Sequence, residues 1–364
     1  MPLTRLLVPV VAAIVLVAGC GDDPDDSPAA SAPPTTAAID PARCQANRDA
    51  GTITFLTGFD FAATAGGIEF MVADARGYFE DLCLDVEIRP SFSTQNLPLV
   101  AAGTAQFASV GSYTELVRSQ PAGAHLVAVL VEGKTPIEAL VVPAESAVTT
   151  LADLEGKTIG VKGAMPPTLQ AMLRDAGLAE GDYREVLLDG FDPVAHLAQP
   201  IDALPVYKSN EPGILERAGI AVRTFDPATE GIPGTFGVVY TSAGFLADHP
   251  TAAEDTVRAA LHGLQDAIAD PNAAVDIAVA RLDAGASLTE DGERFRWQVE
   301  SEIVASSTPA GELPGLIDPD ALEAVIDAHT DAGVFATRPD TAGTYDAELA
   351  RRLLNPDGTL AWPS

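Results

Sequence analysis

Short apolar runs and helical periods alternate along most of the chain. Residues 52–57 (TITFLT) form a β-rich run, and residues 65–79 carry Ile68, Met71, Val72, Ala75 and Phe79 at helical spacing. A strand at 85–88 is followed by a loop at 90–95, a short helix at 97–102 closed by Gly103, and a strand at 106–110. A helix running to Ser119 and a strand at 126–131 complete this first series. The alternation of strand and helix predicts a largely parallel sheet.

The pattern then restarts. Residues 137–142 are apolar and extended, 151–157 make a helical turn, and 158–161 form a strand. A Gly/Pro loop at 162–167 leads into a helix to Ala176, followed by a strand at 185–188 and a helix at 193–198. The strands at 221–225 and 236–240 are expected to complete a second sheet. From Phe245 onward the chain is mostly helical, with amphipathic stretches at 251–269 and 290–305. Two α/β units and a helical tail predict two lobes with a cleft between them.

The stretch 201–219 (IDALPVYKSNEPGILERAG) concentrates the chemistry of the second unit. Its apolar run reads as a buried strand, broken at Tyr207-Lys208-Ser209. Asn210 reads as an N-cap whose side chain accepts from a first-turn amide, and Pro212 fits an early helical position. Glu211 then stands at the positive end of a helix, just past a strand's carboxyl end, where ligands collect in open α/β sheets. The same residues also fit an ordinary loop with a helix-stabilising acid.

The chain begins with one Arg and an apolar run ending at Ala18-Gly19-Cys20, too short and too abruptly polar afterwards for a spanning helix. Val17-Ala18-Gly19-Cys20 resembles a bacterial lipobox, which implies a signal peptide at 1–19 and lipidation of Cys20. Residues 20–48, rich in Pro, Ser, Thr, Ala and Asp over much of their length, are expected to form a disordered tether. The expected location is the outer face of a bacterial cytoplasmic membrane. With Cys20 assigned, Cys44 and Cys83 remain; in an exported protein an even remainder suggests a disulfide, and two buried free thiols are the alternative. Hydrophobic residues at 47% support a sizeable core, and a net charge of −31 argues against a nucleic-acid partner. The five His show no metal spacing, and neither a Gly-x-Ser-x-Gly nor a phosphate-cradling loop is present. No catalytic residue, metal or cofactor is therefore expected.

Three segments resemble one family. Residues 151–161 (LADLEGKTIGV) look like the signature opening the second lobe of many transporter solute-binding proteins, 100–107 (VAAGTAQF) resembles a segment of the first lobe, and 245–251 (FLADHPT) resembles the return to it. The chain is similar to the SsuA/thiamine-precursor branch of ABC-transporter substrate-binding proteins. The resemblance implies an α/β, two-lobed type II periplasmic-binding fold, with 49–136 plus 241–364 as lobe 1 and 137–240 as lobe 2. It further implies a monomer that traps a small molecule by hinge closure and delivers it to a permease and its ATPase. Residues 206–212 (VYKSNEP) look most like the subgroup that binds thiamine pyrimidine precursors or riboflavin. That likeness gives Glu211 the role of accepting hydrogen bonds from a heteroaromatic ring, with aromatic side chains stacked on it. A pyrimidine-precursor synthase of the same fold is the enzymatic alternative, but its Cys-rich motif is absent here.

The expected cleft loops contain no Arg, the two Lys Lys162 and Lys208, and the four acids Asp60, Asp189, Asp192 and Glu211. A sulfonate or nitrate pocket favours guanidinium forks or converging donors. These loops instead carry Phe59, Phe61, Phe92, Tyr113, Phe191 and Tyr207, which suit a flat, amine-bearing ring. The candidate ligand-binding residues are Phe59, Asp60, Phe92, Ser112, Tyr113, Lys162, Asp189, Tyr207, Asn210 and Glu211.

Overall fold

The structure, a computed structural model, describes residues 39–59, 62–120, 123–281 and 289–363. Cys20 and the stretch 1–38 lie outside the described residues, as does Asp60. Ten strands are labelled in chain order: β1 (Thr52–Leu56), β2 (Asp85–Arg89), β3 (Phe107–Val110), β4 (Leu126–Gly133) and β5 (Glu138–Pro143), then β6 (Thr158–Val161), β7 (Arg184–Leu187), β8 (Leu204–Tyr207), β9 (Val222–Phe225) and β10 (Phe236–Ser242).

The first sheet has the order β2-β1-β3-β10-β4. Side-chain alternation along β10 decides its packing: Val239 joins a core with Ile53, Phe55, Phe70 and Leu261, while Val238 and Tyr240 join another with Val110, Tyr113 and Ile326. The helices Ile68–Ala75 and Pro250–Ala269 cover the former core. They approach so closely at Gly263 that a Cβ there would lie 2.1 Å from the Glu69 carbonyl oxygen. The second lobe is built from the sheet β8-β5-β9 and the parallel pair β6-β7, joined through a bridge between Ile159 and Ala203.

The topology corrects two expectations. The strand expected at 236–240 is β10, and it lies in the first sheet between β3 and β4 rather than completing the second. Neither lobe is largely parallel: β10 runs antiparallel to β3 and β4, and β5 runs antiparallel to β8 and β9. The chain leaves the first sheet by β4 and comes back by β10, so adjacent strands at this crossing must point in opposite directions. Local periodicity carries no record of that return.

Tertiary contacts also move helix boundaries. The expected helix at 65–79 breaks at Gly77, whose φ of 79° opens the short helix Tyr78–Asp81. The helix expected at 97–102 begins at Ser93, because the Ser93 amide donates to the Gly58 carbonyl and its hydroxyl to Glu115. The end of the span expected as a disordered tether is instead the helix Pro41–Asp49, held to the body by burial of Asn47 and by the disulfide from Cys44 to Cys83. Among the described residues no helix is long and apolar enough to cross a membrane.

The tail helix Glu290–Ser307 brings the polar site together. Glu293 accepts from the amides of Ala62 and Ala63, at 3.1 and 2.7 Å. Two turns further on, Glu300 accepts from the Ala65 amide and the Thr64 hydroxyl on the first lobe, and from the Ser209 hydroxyl on the second.

Candidate functional site

Two cavities meet at Gly111 and Tyr207. The larger, about 280 Å³, is bounded by Ser112, Glu115 and Arg118 from the helix after β3, by Glu138 of β5, by 162–167 after β6, and by the end of β8. The smaller, about 30 Å³, lies among Phe59, Phe236, Ser209, Arg296 and Glu300. The larger volume approaches the roughly 300–1,000 Å³ of typical small-molecule sites, whereas the smaller holds no more than a water or two.

Of the residues singled out from sequence, Ser112, Lys162 and Tyr207 border the larger cavity, and Phe59 borders the smaller. The rings of Phe59 and Tyr207 meet edge-on with centroids 6.0 Å apart. Of the other described candidates, Phe92, Tyr113, Asp189, Asn210 and Glu211 border neither cavity. Phe92 is half exposed, Asp189 is exposed, and Tyr113 is buried with its hydroxyl hydrogen-bonded to Thr344.

Glu211 is buried, and both of its oxygens are engaged. Oε1 accepts from Lys162 Nζ and Oε2 accepts from the Tyr207 amide at 2.8 Å. This acid thus fixes the end of β8 and the lysine that borders the cavity. Asn210 occupies the N-cap position of the helix Glu211–Arg217 but makes no side-chain cap, contrary to the sequence reading. Its backbone, at φ −127° and ψ −81°, departs from the extended conformation usual at a capping residue. Its Oδ1 instead accepts from Arg296 at 3.1 Å.

Five charged residues that border the cavities, Glu115, Arg118, Glu138, Arg296 and Glu300, were not among the sequence candidates. Arg118 and Arg296 come from helices, so the absence of Arg from the loops does not extend to the cavities. Glu293, Arg296 and Glu300 are buried and recur at helical spacing, which is the signal that marks one face of the tail helix. Glu138 was legible as a lone acid in the otherwise apolar run 137–142.

Burial dominates the electrostatics. It raises the Glu138 carboxyl to about 7, aided by the charge of Glu115 and opposed by its own amide, Lys208 and the Ile137 amide. It also raises Glu115, against hydrogen bonds from Ser93 and Gly111, and Glu300, against Arg296 and three hydrogen bonds. The Tyr207 phenol is pushed well above its usual value by burial and then by Glu138 and Glu115, so its hydroxyl stays protonated. Glu69 is raised to about 7 and Glu132 well above the carboxylate range, in both cases chiefly by burial, so this interacting pair retains a proton. The larger cavity therefore offers an aromatic wall, an ammonium tied to Glu211, and acids held toward their neutral form.

Comparison with known proteins agrees with this architecture. The chain is 27% identical over 285 residues to the riboflavin-binding protein RibY of Chloroflexus aurantiacus, covering 76% of this chain and 77% of that one. Its fold matches the alkanesulfonate-binding protein SsuA from Xanthomonas axonopodis pv. citri bound to MOPS, with a TM-score of 0.59 at 17% identity over 81% of this chain and 98% of that one. It also matches the desulfurization enzyme DSZB, with a TM-score of 0.55 at 16% identity over 83% of this chain and 98% of that one. The fold is that of the two-lobed periplasmic binding proteins. The NMT1/THI5-like family model matches residues 66–274, more than half of the chain, and the protein belongs to that family.

Proposed function

We propose that this protein is the extracytoplasmic solute-binding component of an ABC importer, and that it captures a small heteroaromatic vitamin or precursor of the riboflavin or thiamine-pyrimidine type. The observation that carries this reading is the cavity of about 280 Å³ between the two lobes, walled by Tyr207 and bordered by Lys162, Glu115 and Glu138. A flat ring stacks on the phenol while its polar edge meets the acids. The relative named for riboflavin binding supports the ligand class. Capture by hinge closure, delivery to a permease and its ATPase, anchoring through lipidated Cys20 and a monomeric state complete the proposal.

A sulfonate or nitrate is the weaker reading. Lys162 is already paired with Glu211, and Glu115 and Glu138 border the same space. Arg118 also borders it, but an anion there would meet two carboxyls beside that guanidinium rather than a converging set of cations. Because an enzyme shares the fold, turnover is measured alongside binding.

The test is a thermal-shift titration of the purified protein with riboflavin, 4-amino-5-hydroxymethyl-2-methylpyrimidine, its formylamino relative, taurine and nitrate. Stabilisation by one of the ring compounds supports the proposal. A response to taurine or nitrate alone overturns the ligand class, and conversion of a bound compound overturns the binding role.

A further inference from the structure

The larger cavity contains one acid whose partners inside the protein do not account for it. Glu138 is 6% exposed, and its Oε2 is buried without a hydrogen-bond partner among the described residues. The other nearby acids are engaged: Glu211 by Lys162 and Tyr207, and Glu115 by the Ser93 hydroxyl. Desolvating a carboxyl oxygen and giving it nothing to bond is costly, so such an atom at the border of a cavity points to a partner that arrives from outside.

Glu138 also stands in the right place. It pairs directly with Tyr207 across the β5–β8 ladder, and directly opposed residues project from the same face. A ring stacked against Tyr207 thus brings its edge to the neighbouring carboxyl.

We propose that Glu138 is the specificity-determining residue of this cavity, reading by two hydrogen bonds a heteroaromatic edge that presents a donor next to an acceptor. The inference rests on the heteroaromatic reading of the cleft and names the feature by which that ring is selected. In its neutral form the carboxyl donates its O–H to the ring's acceptor and accepts from the adjacent N–H. Burial favours that form, as does Glu115, while Lys208 opposes it; Tyr207, Lys162 and Arg118 are the other polar or charged groups around it. The imide edge of a flavin and the amino-pyrimidine edge share this donor–acceptor pattern, and a sulfonate lacks it.

The experiment measures the affinity of riboflavin and of 4-amino-5-hydroxymethyl-2-methylpyrimidine for wild type, Glu138→Gln and Glu138→Leu. The two probes distinguish the two sources of the edge. A primary amide reproduces the donor and acceptor of a neutral carboxyl, so Glu138→Gln retains affinity to within about threefold, whereas Glu138→Leu loses about tenfold or more. Wild-type affinity falls between about pH 7 and about pH 9 as the carboxyl ionises, and Glu138→Gln shows no such fall. Glu138→Leu matching wild type, Glu138→Gln binding as weakly as Glu138→Leu, or wild-type affinity that rises with pH overturns the inference while leaving the ligand class standing. Wild type that binds neither probe overturns this inference, and if it does not bind the formylamino relative either, the proposed function falls with it.

Discussion

Substitution of Glu211 tests whether the site is held together from beneath. Its Oε1 accepts from Lys162 and its Oε2 from the Tyr207 amide, with the Glu211 side chain 2% exposed and that of Lys162 17%. Glu211→Gln keeps the shape but has one oxygen for two donors, so one N–H is left facing an amide NH₂. Losing a charge-assisted hydrogen bond costs about 1.5–3 kcal/mol, and orphaning a buried partner about 3–5 kcal/mol. Because Lys162 retains some access to water, about 2 kcal/mol is expected for Glu211→Gln and about 3 kcal/mol for Glu211→Ala. Lys162→Met in the Glu211→Gln background removes the stranded ammonium and recovers about 1 kcal/mol or more. The assay is urea unfolding of the four proteins in a double-mutant cycle, read from the midpoint at constant slope. Additivity of the two single substitutions to within about 0.5 kcal/mol would refute the coupling.

Three further outcomes follow from buried groups and close packing. Glu69 and Glu138 have folded values near 7 against an ordinary 4.5, so the native state binds more protons between those limits. Their contribution is fully present below about pH 4.5 and is lost as pH rises through about 7. Thermal melts are therefore expected to be higher at about pH 5 than at about pH 8, and Glu69→Gln should flatten that profile; an unchanged slope would count against a proton shared with Glu132. Gly263→Ala forces a methyl against the Glu69 carbonyl and is expected to cost about 3 kcal/mol in urea unfolding, whereas a loss below about 0.5 kcal/mol would mean that the helices separate freely. Replacing Cys44 and Cys83 by Ser opens a link across 39 residues; chain entropy sets the loss at up to about 4 kcal/mol, read as a lower melting temperature that reductant no longer changes.

Much of the fold was legible because it rests on local rules. Apolar runs such as residues 158–161 and 126–131 had to become buried strands, and the amphipathic stretch 251–269 had to become a helix, which packs on the core around Val129 and Leu130. The placement of Lys162 and Tyr207 beside the larger cavity was legible too, since strand ends and the turns after them gather in such sheets, whereas Glu211 borders neither cavity and is engaged by those two residues. Sequence determined the elements, their alternation and the residue types offered by the loops.

Tertiary structure decided which of those residues meet. The return of the chain through β10 into the first sheet depends on a crossing between lobes, which no local period encodes. Arg296 and Glu300 reach the site only because the tail helix folds back over residues 62–66 and 209–210. Asn210 was read as a cap from its type, but Arg296 gives its oxygen a different partner. Glu211 is engaged by Lys162 and Tyr207, while Glu138, opposite Tyr207 in the ladder, keeps a buried oxygen unpartnered among the described residues. Sequence supplied the acids, and long-range pairing decided which was spent on the scaffold and which was left at the cavity, because hydrogen-bond satisfaction depends on neighbours distant along the chain.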